Sequence, residues 1–162
     1  MIFKKVNVMQ ILPITSNNVK EAIDQAVLVL KYGGLVVYPT ETTYGIGADA
    51  TNPEAVQKLL RYKGRRDGKP ISVAVHSIAM AEKYVELNDQ AKTIYSRFLP
   101  GPVTVISTGK QMLADGIETK DGSLGIRIPD HKIPMAIVTE LDRPITATGA
   151  NASFQKRPYS IE

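Results

Sequence analysis

The chain has no cysteine. That excludes a disulfide scaffold, a thiol nucleophile and a cysteine-ligated metal site, and it fits a reducing compartment. No apolar run is long enough for a membrane span. Met1 to Pro13 holds two lysines among short apolar pieces, with no small-residue cleavage pattern after it, so it does not read as a signal peptide and the expected compartment is the cytoplasm. Only two histidines occur, His76 and His131, and neither has metal-ligand spacing with the other or with a carboxylate pair. No Ser-His-Asp arrangement is supported. Two common phosphate loops are missing as well. Gly64 and Gly68 have the wrong spacing for a Walker A loop and Lys69 precedes Pro70, while Gly45-Ile46-Gly47 lacks the third glycine of a dinucleotide fingerprint.

What remains is an ordinary globular composition, 43% hydrophobic and 22% charged over 162 residues, enough for one domain with a real core. The charge is not spread evenly. Arg61, Lys63, Arg65, Arg66 and Lys69 face one acid, Asp67, so this short stretch alone accounts for the formal net charge of +4. One cationic focus suits a polyphosphate or a nucleic-acid backbone. Tyr62 is the lone aromatic beside it, which counts against a stacking platform for single strands.

Periodicity divides the chain into alternating strands and helices. Met9 to Leu12 reads as a short strand, and Ser16 or Asn17 as the cap of a helix. The apolar face of that helix is Val19, Ala22, Ile23, Ala26, Val27 and Leu30, and Gly33-Gly34 ends it. Leu35 to Tyr38 reads as a buried strand, followed by the loop Pro39-Thr40-Glu41-Thr42-Thr43-Tyr44-Gly45-Ile46-Gly47. Thr51-Asn52-Pro53-Glu54 resembles a capping box for a second helix. Strands are expected at Ile71 to Val75, Val103 to Ser107, Leu124 to Ile128 and Ile145 to Ala147. Helices are expected around Ala79 to Val85, Asp89 to Leu99 and Pro134 to Leu141. Gly109 to Ser123 reads as a polar loop or hairpin, and Ser160 as the cap of a further helix. The alternation predicts one α/β domain over 1–162, with a largely parallel or mixed sheet.

Three features carry chemistry. The hydroxyl-rich loop from Thr40 to Thr43 leaves the carboxyl end of an apolar strand, where ligands of open α/β sheets bind. The basic loop Lys63 to Pro70 gathers cations beside glycines. Arg127 lies in a strand whose alternate positions are apolar, so it requires a partner: a bound carboxylate matched to its fork, or an Asp or Glu of the chain.

Five motifs in order, Pro39 to Gly47, Lys63-Gly64-Arg65 with Lys69-Pro70, Pro100-Gly101-Pro102-Val103-Thr104, Arg127-Ile128-Pro129-Asp130-His131 and Ala150-Asn151, resemble those of YrdC-type domains, the threonylcarbamoyl-AMP synthases of tRNA modification. The resemblance runs from about Asn18 to Pro158. It implies an open sheet around a concave, positive cavity. The implied reaction joins L-threonine, bicarbonate or CO2 and ATP, with Mg2+, into threonylcarbamoyl-adenylate and pyrophosphate. The implied use is threonylcarbamoyladenosine at position 37 of tRNA, with partner proteins of that pathway. It also implies that Thr42, Arg127 and the backbone at Ala147 hold threonine. Lys63, Arg65, Lys69, Ser123, Gly149 and Asn151 would line the nucleotide side, with Lys63 and Arg65 stabilising phosphate charge. Two departures stand out: Gly149 replaces the family's usual serine, and the family's later segment would lie beyond Glu162. The alternative is a module of the same fold that binds double-stranded RNA or tRNA through the basic focus without catalysis.

Overall fold

The computed structural model describes residues 9–64, 71–152, 155–156 and 158–160. Five helices and six strands lie among the described residues. They are α1 (Val19–Lys31), β1 (Val36–Tyr38), β2 (Gly45–Gly47), α2 (Pro53–Lys63), β3 (Ser72–Ala74), α3 (Ile78–Tyr84), α4 (Asp89–Phe98), β4 (Val105–Thr108), β5 (Ser123–Arg127), α5 (Lys132–Leu141) and β6 (Ile145–Gly149).

Local chemistry sets the helix ends, sometimes one residue from where the pattern puts them. Asn52, not Thr51, caps α2: its side chain accepts from the Ala55 amide at 3.1 Å, with Pro53 in the first turn. Thr51 instead donates to Asp49 at 2.7 Å. Asn18 holds the N-cap position of α1 without a side-chain cap bond, because its amide oxygen already takes the Thr15 amide at 2.7 Å. At the other end of α1, Gly33 adopts φ +70°, the left-handed conformation expected there. His131 caps α5 through Nδ1, which accepts from the Ile133 amide at 3.2 Å.

The strands form one open sheet in the order β1-β2-β6-β3-β5-β4. The sheet is mixed, as expected, but its balance is antiparallel: β3 with β5 is the one parallel pairing among the described strands. Two features shift the balance. A tight connection makes β1 and β2 a hairpin, and the last strand inserts antiparallel between β2 and β3. Met9 to Leu12 is not a strand; it is exposed coil, with Met9 and Ile11 facing solvent. Residues 109–122 form a long loop of turns and bends joining the antiparallel strands β4 and β5, and Ser160 lies in a bend rather than capping a helix.

Alternate residues of a strand share a face, and here the two faces differ in kind. One packs into the core, where Val73 pairs with both Thr146 and Ile126, all fully buried. Thr146 is satisfied there by the Ala48 amide at 2.9 Å. On the other face small residues meet around the middle of the sheet. Gly45 lies opposite Gly149 and Ala147 opposite Ser72. A Cβ on Gly125 would meet the Ser72 hydroxyl at 2.7 Å. These small residues make a low floor, and Arg127, two positions beyond Gly125 on the same face, stands at its end.

Tyr38 covers one side of this floor. Its ring is buried and its hydroxyl donates to the Thr146 carbonyl at 3.1 Å. A Cβ on Gly45 would come within 3.0 Å of that ring. Because the ring is held at both ends, Gly45→Ala is expected to lower stability by about 1–3 kcal/mol. In a domain of this size that is a fall of several degrees in melting temperature, read by differential scanning calorimetry.

Candidate active site

The loop between β1 and β2 is built around Thr40. Its hydroxyl accepts from the Thr42 and Thr43 amides, both at 3.2 Å, and donates to the Thr43 carbonyl at 2.6 Å. Tyr44 ties the loop to the rest of the fold: its amide donates to the Pro158 carbonyl and its carbonyl accepts from the Ala150 amide, each at 2.9 Å. The result places Glu41 and Thr42 over the floor, facing Arg127.

Arg127 donates through Nη2 to Glu41 Oε1 in an ion pair, and the Thr42 hydroxyl lies 3.4 Å from the same nitrogen. Of the two partners left open by the sequence, the chain itself supplies the carboxylate. Burial alone would raise the Glu41 pKa. The hydrogen bond and charge of Arg127, with backbone amides including that of Asp130, outweigh it and hold the carboxyl below its ordinary value. Beneath the pair, burial pushes the Tyr38 phenol well up, so it stays a neutral donor. A hollow of about 60 Å³ opens beside these groups, lined by Tyr38, Thr42, Arg127, Ala147 and Gly149 among others.

Thr42, Arg127, Ala147 and Gly149 are thus brought together around this hollow. The other residues assigned to the nucleotide side are placed differently. Lys63 is buried at the end of α2, and its ammonium donates to the carbonyls of Gly149 and Asn151. It clips the exit loop of β6. Tyr62 does the same from the next position, donating to the Ala150 carbonyl at 2.6 Å. Asn151 braces its own loop, donating to the Ala152 and Gln155 carbonyls at 3.0 Å. Its Oδ1 lies 2.5 Å from where a Cβ on Gly149 would be, so the space a serine would need is taken. Ser123 lies apart from the hollow. Its hydroxyl shares a 2.6 Å hydrogen bond with Thr119, and it lines a separate polar cavity of about 360 Å³ with Glu86, Asn88 and Asp121. Arg65 and Lys69 fall outside the described residues.

The family model described as "Telomere recombination", Sua5/YciO/YrdC, matches residues 28–162. The chain belongs to that family. It is 36% identical over 146 residues to the threonylcarbamoyl-AMP synthase of Bacillus subtilis, covering 86% of this chain and 41% of that protein. It is 32% identical over 149 residues to the enzyme of the same name from Pyrococcus abyssi, covering 88% and 44%. The fold superposes with a TM-score of 0.82 on the crystal structure of P. abyssi Sua5 complexed with L-threonine, at 31% identity, over 86% of this chain and 41% of that one. The chain thus spans less than half the length of these relatives. No helix among the described residues is long and apolar enough to cross a membrane.

Glu41 stands inside the Pro39 to Gly47 motif with no role legible from the sequence, Thr40 reads there as one hydroxyl of the loop rather than its centre, and Tyr38 only as a strand end. Arg127 did signal that a carboxylate was needed, but spacing could not say which one.

Proposed function

We propose that this Sua5/YciO/YrdC domain forms threonylcarbamoyl-AMP from L-threonine, bicarbonate or CO2 and ATP, releasing pyrophosphate, as a cytoplasmic nucleotidyltransferase of tRNA threonylcarbamoylation. One observation carries the reading: Arg127, Glu41 and Thr42 meet over a floor of glycine, alanine and serine, in a fold whose relatives are named for this reaction and include a structure with L-threonine. Arg127 would take the substrate carboxylate and Thr42 its side-chain hydroxyl. The low floor lets the nucleotide approach backbone. The threonine ammonium gives up a proton to solvent, the neutral amine attacks CO2 and loses a second proton to become the carbamate, and a carbamate oxygen then attacks the α-phosphorus as pyrophosphate leaves, so no protein nucleophile is required. Positioning and charge stabilisation supply the catalysis.

The basic segment with Arg65 and Lys69 would meet the phosphates, while Lys63 holds the loop of Gly149 and Asn151 against them. Among the described residues no three His, Asp or Glu side chains gather as a metal cage. That fits Mg2+ arriving on the ATP phosphates, with water completing its shell. The product would pass to partner proteins that modify tRNA. A pocketed amino-acid fork favours this reading over a module that only binds RNA.

The test is selectivity. Arg127 cannot tell threonine from valine, so discrimination falls to groups that bond the side-chain hydroxyl, and a site built for a hydroxyl rejects the isostere lacking it. L-threonine is expected to bind at least tenfold more tightly than L-valine, about 1.4 kcal/mol, with Thr42→Val narrowing the gap. An unchanged ratio in calorimetry would overturn Thr42 as the hydroxyl reader, and equal binding of both amino acids to the wild type would overturn the threonine reading.

A further inference from the structure

The Arg127–Glu41 pair is incompletely bonded for a structural ion pair. The two side chains are only 17% and 19% exposed, yet Arg127 Nε is buried with no hydrogen-bond partner among the described residues. Glu41 engages Nη2 through one oxygen and leaves the Nε side of the fork unused. A guanidinium binds a carboxylate best through two parallel bonds, and a buried unpaired donor is costly. The unused edge belongs to Arg127, which lines the hollow with Thr42 and Ala147.

An α-amino acid carries a carboxylate and, on the adjacent carbon, an ammonium. A ligand whose carboxylate takes the Nε–Nη2 edge brings its ammonium beside Glu41. Glu41 then exchanges the Nη2 contact for the ammonium, and no charge is stranded. A ligand with the carboxylate alone satisfies Arg127 but leaves Glu41 unpaired against a like charge. We propose that Glu41 recognises the substrate's α-ammonium, so that the Arg127–Glu41 pair opens to admit a zwitterion and selects α-amino acids over the corresponding 2-hydroxy acids. The inference rests on the reading that this hollow takes an amino acid.

The experiment is calorimetry on the wild type and Glu41→Gln with two ligands: L-threonine and its deaminated analogue 2,3-dihydroxybutyrate, matched in stereochemistry. A charged hydrogen bond is worth roughly ten- to a hundredfold in affinity. The wild type should prefer L-threonine by that factor, and Glu41→Gln should lose most of the preference. Glu41→Asp, which retains the charge, should keep it, and serves if the glutamine variant fails to fold. A preference unchanged in Glu41→Gln would overturn the inference and make Glu41 a structural counter-ion. Equal tightening of both ligands would also overturn it, making Glu41 a competitor for the fork. Threonine binding to the wild type without any preference overturns this inference alone, whereas failure of the wild type to bind either ligand overturns the amino-acid reading beneath it.

Discussion

Arg127→Ala is expected to weaken L-threonine binding by roughly a hundredfold or more, since it removes two charge-assisted hydrogen bonds of about 1.5–3 kcal/mol each. It should also destabilise the empty protein. Glu41, only 19% exposed, would lose its counter-charge. Breaking a buried pair by deleting one member costs about 3–5 kcal/mol, and the residual exposure here points to the lower end. Much of that cost belongs to the stranded carboxylate, so adding Glu41→Gln to Arg127→Ala should recover stability without recovering threonine. Thermal melts of the single and double variants read the coupling directly. If the double variant is less stable than Arg127→Ala, Glu41 is held by something other than Arg127.

Lys63→Met is expected to have the next largest effect, chiefly on stability. The methionine keeps the apolar stem buried but withdraws the ammonium from the Gly149 and Asn151 carbonyls. An acceptor left unsatisfied costs about 1–3 kcal/mol. Two of them make a loss of roughly 2–6 kcal/mol, a fall of several degrees or more of melting temperature in a domain this size. Nucleotide binding should fall with it, because the exit loop of β6 loses its anchor. Tyr62→Phe removes one bond from a more exposed position and should cost about 1 kcal/mol. Hydrogen exchange at residues 149–151, together with melting curves, checks this. An unchanged melting temperature with lost ATP binding would restore the simpler reading of Lys63 as a phosphate cation.

Lys63 also shows where the sequence stopped being legible. Its neighbours mark it as part of a cationic focus, and nothing local says that it turns inward at the end of α2. The same limit hid Glu41, whose partner lies far along the chain and meets it only through sheet topology. Helices are easier, since α1 declares itself by apolar spacing and its Gly33-Gly34 end, and α2 by its capping signals. Their caps slipped by a residue where two capping side chains adjoin, as with Thr51 and Asn52. Short strands were hardest. Gly45-Ile46-Gly47 has no strand propensity to speak of and becomes β2 because β1 and β6 flank it. Met9 to Leu12 has a plausible pattern but pairs with no strand among the described residues. Strand formation depends on partners more than on intrinsic preference. The ordered motifs carried the family, and Arg127 in its apolar strand pointed to a carboxylate before any partner was known.

Pyrophosphate release from MgATP tests the central claim most directly. Purified protein should release pyrophosphate only when L-threonine and bicarbonate are both supplied, with L-valine a poor substitute and Arg127→Ala inactive. Release that ignores threonine or bicarbonate, or no release when threonine, bicarbonate and MgATP are all saturating, would contradict the account.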